Sequence, residues 1–231
     1  MNSSTAQASD PTTPTKTTKA RIVVWILMGL LVLTGTLGFA VARGAATGTA
    51  PEDAGQVVRA NSRVLSQAPD EKAQLVEFLD FECEACLAAH PFVEELRREH
   101  GDTVTVIHRY FPMPGHRNAM NAAIAVEAAA QQGKYAAMHR KMFRTQTQWG
   151  GSAEDKSALF RSFAQDLGLD LAAYDRAVAD PATADRIRLD KADGLALGIS
   201  GTPTFFLNGE PLVADSLEEF RALVEKAAQR P

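Results

Sequence analysis

Two cysteines occur in the 231 residues, and both lie in one tetrapeptide, Cys83-Glu84-Ala85-Cys86. The run before it, Gln74–Asp80, is short, apolar and rich in strand-forming types, and Pro69-Asp70 bounds it on the far side. After it the pattern turns helical: Cys86, Ala89, Val93 and Leu96 share one face as far as about His100. A strand-to-helix junction puts the first sulfur at a helix N-terminus, where unpaired N–H groups and the macrodipole favour an anion. Such placement lowers a thiol pKa from about 8.5 to about 3.5–7.5. The spacing therefore makes Cys83 the attacking sulfur and Cys86, one turn on, the thiol that resolves a mixed disulfide. Two other uses of the pair stand beside this one. A structural zinc site wants four ligands, but no second C-x-x-C exists, and His90, His100, His108, His116 and His139 show no H-x3-5-H spacing, so no metal is expected. Two inert buried thiols would be unusual at this spacing in an exported domain.

The elements that must position the sulfurs are legible as patterns. Arg63–Ser66 reads as a short edge strand and Val104–Tyr110 alternates like a strand. An Ala-rich helical stretch follows, with helices expected over Asn118–Gln132, Tyr135–Arg144, Lys156–Leu167, Leu171–Val178 and Ala182–Leu197. Asp170 and Asp180 are expected N-caps, with Pro181 at a first helical position. Thr204–Leu207 and Glu210–Val213 flank Asn208-Gly209, a strong hairpin signal. Ser216-Leu217-Glu218-Glu219 has the form of a capping box opening a last helix to about Arg230. The order strand, Cys-helix, strand, helical insert, hairpin, helix predicts an α/β core with a helical insertion at about 116–198.

Glu77-Phe78-Leu79-Asp80-Phe81-Glu82-Cys83-Glu84-Ala85-Cys86, with Gly201-Thr202-Pro203-Thr204-Phe205 far downstream, resembles the DsbA-like branch of the thioredoxin superfamily over residues 60–231. Glu77 stands where that family carries a buried acid, and Pro91 where it kinks the Cys helix. The 120 residues from Cys83 to Pro203 suit its helical insert. The resemblance implies a thioredoxin fold, a cis Thr202–Pro203 peptide beside the sulfurs, and a Thr202 backbone free to pair with an extended substrate. It also implies that Glu77 takes or returns the Cys86 proton, and that no cofactor is needed. The strongest oxidases of the family carry Pro-His between the cysteines, whereas Glu84 and Ala85 stand here. Glu84 adds a like charge and Ala85 lacks a donor, so the tetrapeptide predicts a potential between about −120 mV and about −270 mV, clear of the oxidising end.

Composition frames the setting. The formal net charge of −4 speaks against a nucleic-acid binder. Residues 1–43 carry +3 and the remainder −7. Residues 1–21 read as a disordered cytoplasmic tail. Ile22–Val41 has no charged residue across 20 positions, enough for about 30 Å of helix and hence one membrane span. Ala40-Val41-Ala42 also resembles a signal-peptide cleavage site, though such apolar cores run only about 7–15 residues. Lys16, Lys19 and Arg21 before the span keep the N-terminus cytoplasmic and send the body outside. Residues 42–57 read as a linker and 58–231 as the catalytic domain. The expected function is a membrane-tethered thiol:disulfide oxidoreductase that forms disulfides in exported proteins and is reoxidised by a quinone-linked membrane partner. The alternatives are a reductase, for example in cytochrome c maturation, and a non-catalytic anchored binding module.

Overall fold

A computed structural model describes residues 53–229. The expected tail and the expected span Ile22–Val41 lie outside the described residues, among which no helix is long and apolar enough to cross a membrane.

Apolar runs bounded by turns make the centre of the sheet. β2 (Ala73–Leu79) and β3 (Val104–Tyr110) are buried over nearly their whole length and pair in parallel, with Ala73 opposite Val104 and Leu79 opposite Tyr110. Parallel neighbours need a crossover, and α1 (Glu84–Glu99) supplies it. β1 (Arg63–Ser66) adds antiparallel to β3, while β4 (Thr204–Leu207) adds antiparallel to β2 and carries β5 (Glu210–Pro211). The mixed sheet has the order β1-β3-β2-β4-β5.

Strand alternation divides the core in two. Leu75 and Val104 meet Leu96 of α1 and Phe220 and Val224 of α7 (Leu217–Ala228) on one face. Val76, Phe78 and Ile107 meet Phe111 and Phe206 on the other. The insertion comprises α2 (Ala119–Ala130), α3 (Tyr135–Thr145), α4 (Ser157–Asp166), α5 (Leu171–Ala179) and α6 (Pro181–Ala196). Its small residues on α2, which let helices approach closely, share one core with Met138, Met142, Phe143 and Phe160 and with Leu79, Phe81, Cys86 and Tyr110 of the sheet, the Cys83 loop and α1.

Local chemistry sets the boundaries. Asp170 and Asp180 accept from the Ala173 and Ala182 amides at 3.0 and 2.9 Å, and Ser216 accepts from Glu219 at 3.1 Å. The Glu219 carboxylate reaches back to the Asp215 amide at 2.8 Å, one residue before the expected cap. Asn208 and Gly209 both take positive φ, 52° and 85°, as a tight hairpin turn requires. β5 ends at Pro211, short of the expected Val213, although the Leu212 amide still donates to the Phe205 carbonyl at 2.9 Å.

The body begins earlier than the expected boundary at residue 58. The Gly55 and Gln56 amides donate to Asp193 Oδ1 at 2.9 and 3.2 Å. Arg109, fully buried on β3, donates to the Gln56 and Val57 carbonyls at 2.8 and 2.7 Å and pairs with Asp190 and Asp193 of α6. Arg59 adds a second guanidinium to Asp193 at 2.5 Å. The last residues of the expected linker are thus part of the fold.

Candidate active site

The end of β2 delivers Cys83 to the N-cap of α1 with extended backbone angles, φ −71° and ψ 123°. Its side chain makes no cap, so the sulfur remains available beside the first-turn amides. Cys83 is half-buried and Cys86 fully buried. The Cys83 pKa is lowered to about 4. The largest cause is the Cys86 thiol donating to the Cys83 sulfur; burial opposes, and Thr202 and the amides of Cys86 and Ala85 add to the lowering. Cys86 shifts the other way, its thiol pushed up by the same bond, by burial and by the nearby Glu77 charge. The two sulfurs are therefore inequivalent, with the thiolate on the accessible one.

Glu84 and Ala85 are both exposed. Their side chains do not account for the state of Cys83; the backbone amide of Ala85 contributes where its methyl cannot. On the far side, Cys83 Sγ lies 3.3 Å from the Thr202 carbonyl oxygen, and the Thr202–Pro203 peptide is cis. Sequence-distant Thr202 and Pro203 are thus brought against the Cys pair.

Beneath it lies a polar row that sequence alone shows only in part. Glu77 on β2 is buried and its carboxyl is raised to about 8 by desolvation. In the parallel register it stands opposite His108 on β3, whose Nε2 lies 3.5 Å from its Oε2. Burial depresses His108 to about 3, so the imidazole is neutral. Its Nδ1 meets the Tyr135 hydroxyl from α3 at 2.8 Å. A protonated carboxyl and a neutral imidazole are the forms a dry site holds without a buried ion pair.

The insertion also grips the loop that carries Cys83. Gln146 Nε2 donates to the Phe81 and Cys83 carbonyls at 2.8 and 2.9 Å. Buried Glu82 accepts from the Asn118 and Gly151 amides at 2.6 and 3.0 Å. Asp80 accepts from the Met113 amide at 2.9 Å and pairs with His116 at 2.6 Å. Burial works against the His116 cation, but this bond outweighs it and raises the imidazole pKa. Glu82 and Asp80 carried a signal, two acids beside a cysteine in an apolar run; Gln146 and Tyr135 carried none.

A family model described as thioredoxin matches residues 66–226. The chain belongs to the thioredoxin family. Within it the fold is DsbA-like. A thioredoxin-like oxidoreductase from Silicibacter pomeroyi DSS-3 superposes with a TM-score of 0.62 at 27% identity, covering 75% of this chain and 95% of that one. BdbD from Bacillus subtilis gives 0.66 at 19% identity, covering 77% and 98%. The Na(+)/H(+) antiporter NhaA 1 of Mycobacterium sp. (strain KMS) is 35% identical over 147 residues, which are 62% of this chain but 23% of that protein. The one from Mycolicibacterium gilvum is 31% identical over 206 residues, 85% and 32% respectively. This thioredoxin-family chain therefore spans about a fifth to a third of the length of the curated relatives it matches.

Proposed function

We propose that the protein is a thiol:disulfide oxidoreductase that forms disulfides in exported proteins. The observation that carries this reading is the split between the sulfurs: Cys83 at about 4 on the surface, Cys86 raised and buried behind it. In the oxidised protein a substrate thiolate attacks Cys83 Sγ. The Cys83–Cys86 bond breaks, and Cys86 leaves with the electron pair and takes a proton, for which Glu77 is the nearby acid. A second substrate thiolate then attacks the substrate sulfur of the mixed disulfide and expels Cys83 as its favoured thiolate. The substrate is oxidised by two electrons and the Cys pair is reduced by two. The Thr202 backbone at the cis peptide supports binding of an extended substrate segment by strand addition.

A thiolate stabilised this far favours the reduced form, which makes the disulfide a better oxidant. This moves the expected potential toward the oxidising end of the range inferred from Glu84 and Ala85. The pair is reoxidised in this reading by a quinone-linked membrane partner, and the uncharged run Ile22–Val41 tethers the domain outside the membrane. Equilibration with glutathione buffers followed by thiol counting tests the direction. A potential above about −180 mV fits the oxidase, whereas one near about −270 mV overturns it in favour of a reductase. Carbonate washing of membranes and external proteolysis of intact cells test the tether; a soluble, shortened product refutes it.

A further inference from the structure

One buried histidine takes no part in the exchange chemistry. His139 on α3 is 1% exposed, and among the described residues neither ring nitrogen has a hydrogen-bond partner. Its ring lies between Phe81, Phe143 and His108, at centroid distances of 5.8, 5.1 and 4.6 Å. An imidazole in such surroundings loses its hydration at both nitrogens, and a buried polar group left unsatisfied is costly. A phenylalanine or leucine would fill the same space without that loss. Buried unpaired polar groups call for a specific reason, and an ion is one of them.

The neighbouring helix supplies the rest of a ligand set. His90 and Glu94 stand one turn apart on α1, four residues being the spacing that puts two side chains on one face. One donor atom from each of His90, Glu94 and His139 lies within 4.8 Å of the others. The His90 ring is stacked on Phe143 at 4.7 Å and meets His139 nearly edge-on at 5.2 Å. We propose that His90, Glu94 and His139 bind one divalent transition-metal cation of the zinc type, joining α1 to the helical insertion.

The chemistry of the donors selects the ion. Two imidazoles and one carboxylate suit zinc and its neighbours, whereas calcium and magnesium want oxygen alone. Bonds of about 2.0–2.1 Å in a tetrahedron set donors about 3.4 Å apart, so from separations of up to 4.8 Å the cluster must contract by at most about 1.4 Å. His90 and Glu94 are only half-buried and have the freedom to do so. Three protein ligands leave a fourth position for water. One competitor stands at the site: Arg97 holds both Glu94 oxygens, at 3.2 and 2.9 Å. That pair is partly exposed and of a kind that contributes little, so a metal bond displaces it. His108 is not a ligand, because Tyr135 holds its Nδ1 and its Nε2 faces Glu77. The cysteines are not ligands either, which separates this site from the sulfur-zinc possibility weighed on the sequence. No H-x-x-x-H exists to betray it; His139 is brought in from a different helix.

The test uses the full chain with Cys83 and Cys86 oxidised, and in parallel the Cys83→Ser/Cys86→Ser double variant, so that no thiol competes. Zinc is titrated against a chromophoric chelator, and cobalt(II) replaces it for absorption spectra. One equivalent should bind to both forms, and the cobalt complex should show visible ligand-field bands with no sulfur charge-transfer band. Glu94→Gln and His90→Gln, at half-exposed positions that leave the fold intact by circular dichroism, should each weaken binding at least about tenfold. Absence of a stoichiometric site, or binding that both substitutions leave unchanged, would overturn the proposal. So would binding that disappears with the cysteines.

Discussion

Replacing Glu77 with Gln should make the protein more stable and a poorer enzyme, and the stability change should depend on pH in a stated way. Desolvation raises the Glu77 carboxyl from 4.5 to about 8 in the folded state. Below pH 4.5 it is protonated whether the chain is folded or not, and folding loses nothing. Between 4.5 and 8 the unfolded chain releases the proton while the folded one holds it, so stability falls as pH rises. Above 8 both states are ionised and the loss levels off. At pH 7 the penalty amounts to about 3 kcal/mol, since each unit of separation is worth 1.36 kcal/mol. Glutamine has nearly the same shape and no charge to bury. In a domain of this size 1 kcal/mol moves Tm by about 2–4 °C, so Glu77→Gln should melt about 6–12 °C above the parent at pH 7. Melting the oxidised form, parent and variant, at pH 4, 7 and 9 checks it. The gap should be small at pH 4 and widest at pH 9. Exchange by the variant should slow by about 10²-fold, the contribution of a positioned proton donor. An equal gap at pH 4 and pH 9, or a parent that gains on the variant as pH rises, would show that Glu77 is not carrying a buried proton.

Alkylation of Cys83 by iodoacetamide should follow a thiolate with its midpoint near the pH given by its pKa of about 4, while Cys86 stays unreactive to pH 9; a Cys83 midpoint above 7 refutes the sulfur assignment. Cys86→Ser should accumulate mixed disulfides with client proteins, visible on non-reducing gels, and Cys83→Ser should not. Gly194→Ala should cost about 1–3 kcal/mol by denaturant unfolding, because the added Cβ would lie 2.6 Å from two ring carbons of Phe111 and 3.2 Å from Phe78. An unaltered midpoint would mean that Phe111 moves aside freely.

Features written in local residue chemistry were legible. The hairpin at Asn208-Gly209 depends on two residues that tolerate positive φ, and the caps at Asp170, Asp180 and Ser216 on short side chains that reach amides two or three residues on. The tetrapeptide and its place on a helix N-terminus belong to the same class. What escaped was set by side-chain partners that only the folded chain brings together. Val104–Tyr110 alternates like a strand, yet all seven residues are buried, because Arg109 is paired with two aspartates about 80 residues away and His108 is held neutral by burial with its Nδ1 on the Tyr135 hydroxyl. No periodicity reports such partners. The thiolate at Cys83 follows from its helix N-terminus, but the redox poise is read from Glu84 and Ala85, whose side chains are exposed, whereas the largest stabilisation of that thiolate comes from the buried Cys86 thiol.

The aspartate at position 193 has a bearing on where this domain can be cut. Its carboxylate, held at about 2 against burial by Arg59 and Arg109, also binds the amides of Gly55 and Gln56. A fragment starting at the first strand, Arg63, would discard Arg59 and both amides while leaving the aspartate in the interior. It would also take the carbonyls of Gln56 and Val57 away from Arg109. Breaking a buried charge cluster from one side costs about 3–5 kcal/mol, a large share of the stability of any single domain. A fusion or expression boundary should therefore fall before Gly55, and whatever precedes the domain can be exchanged only up to that residue.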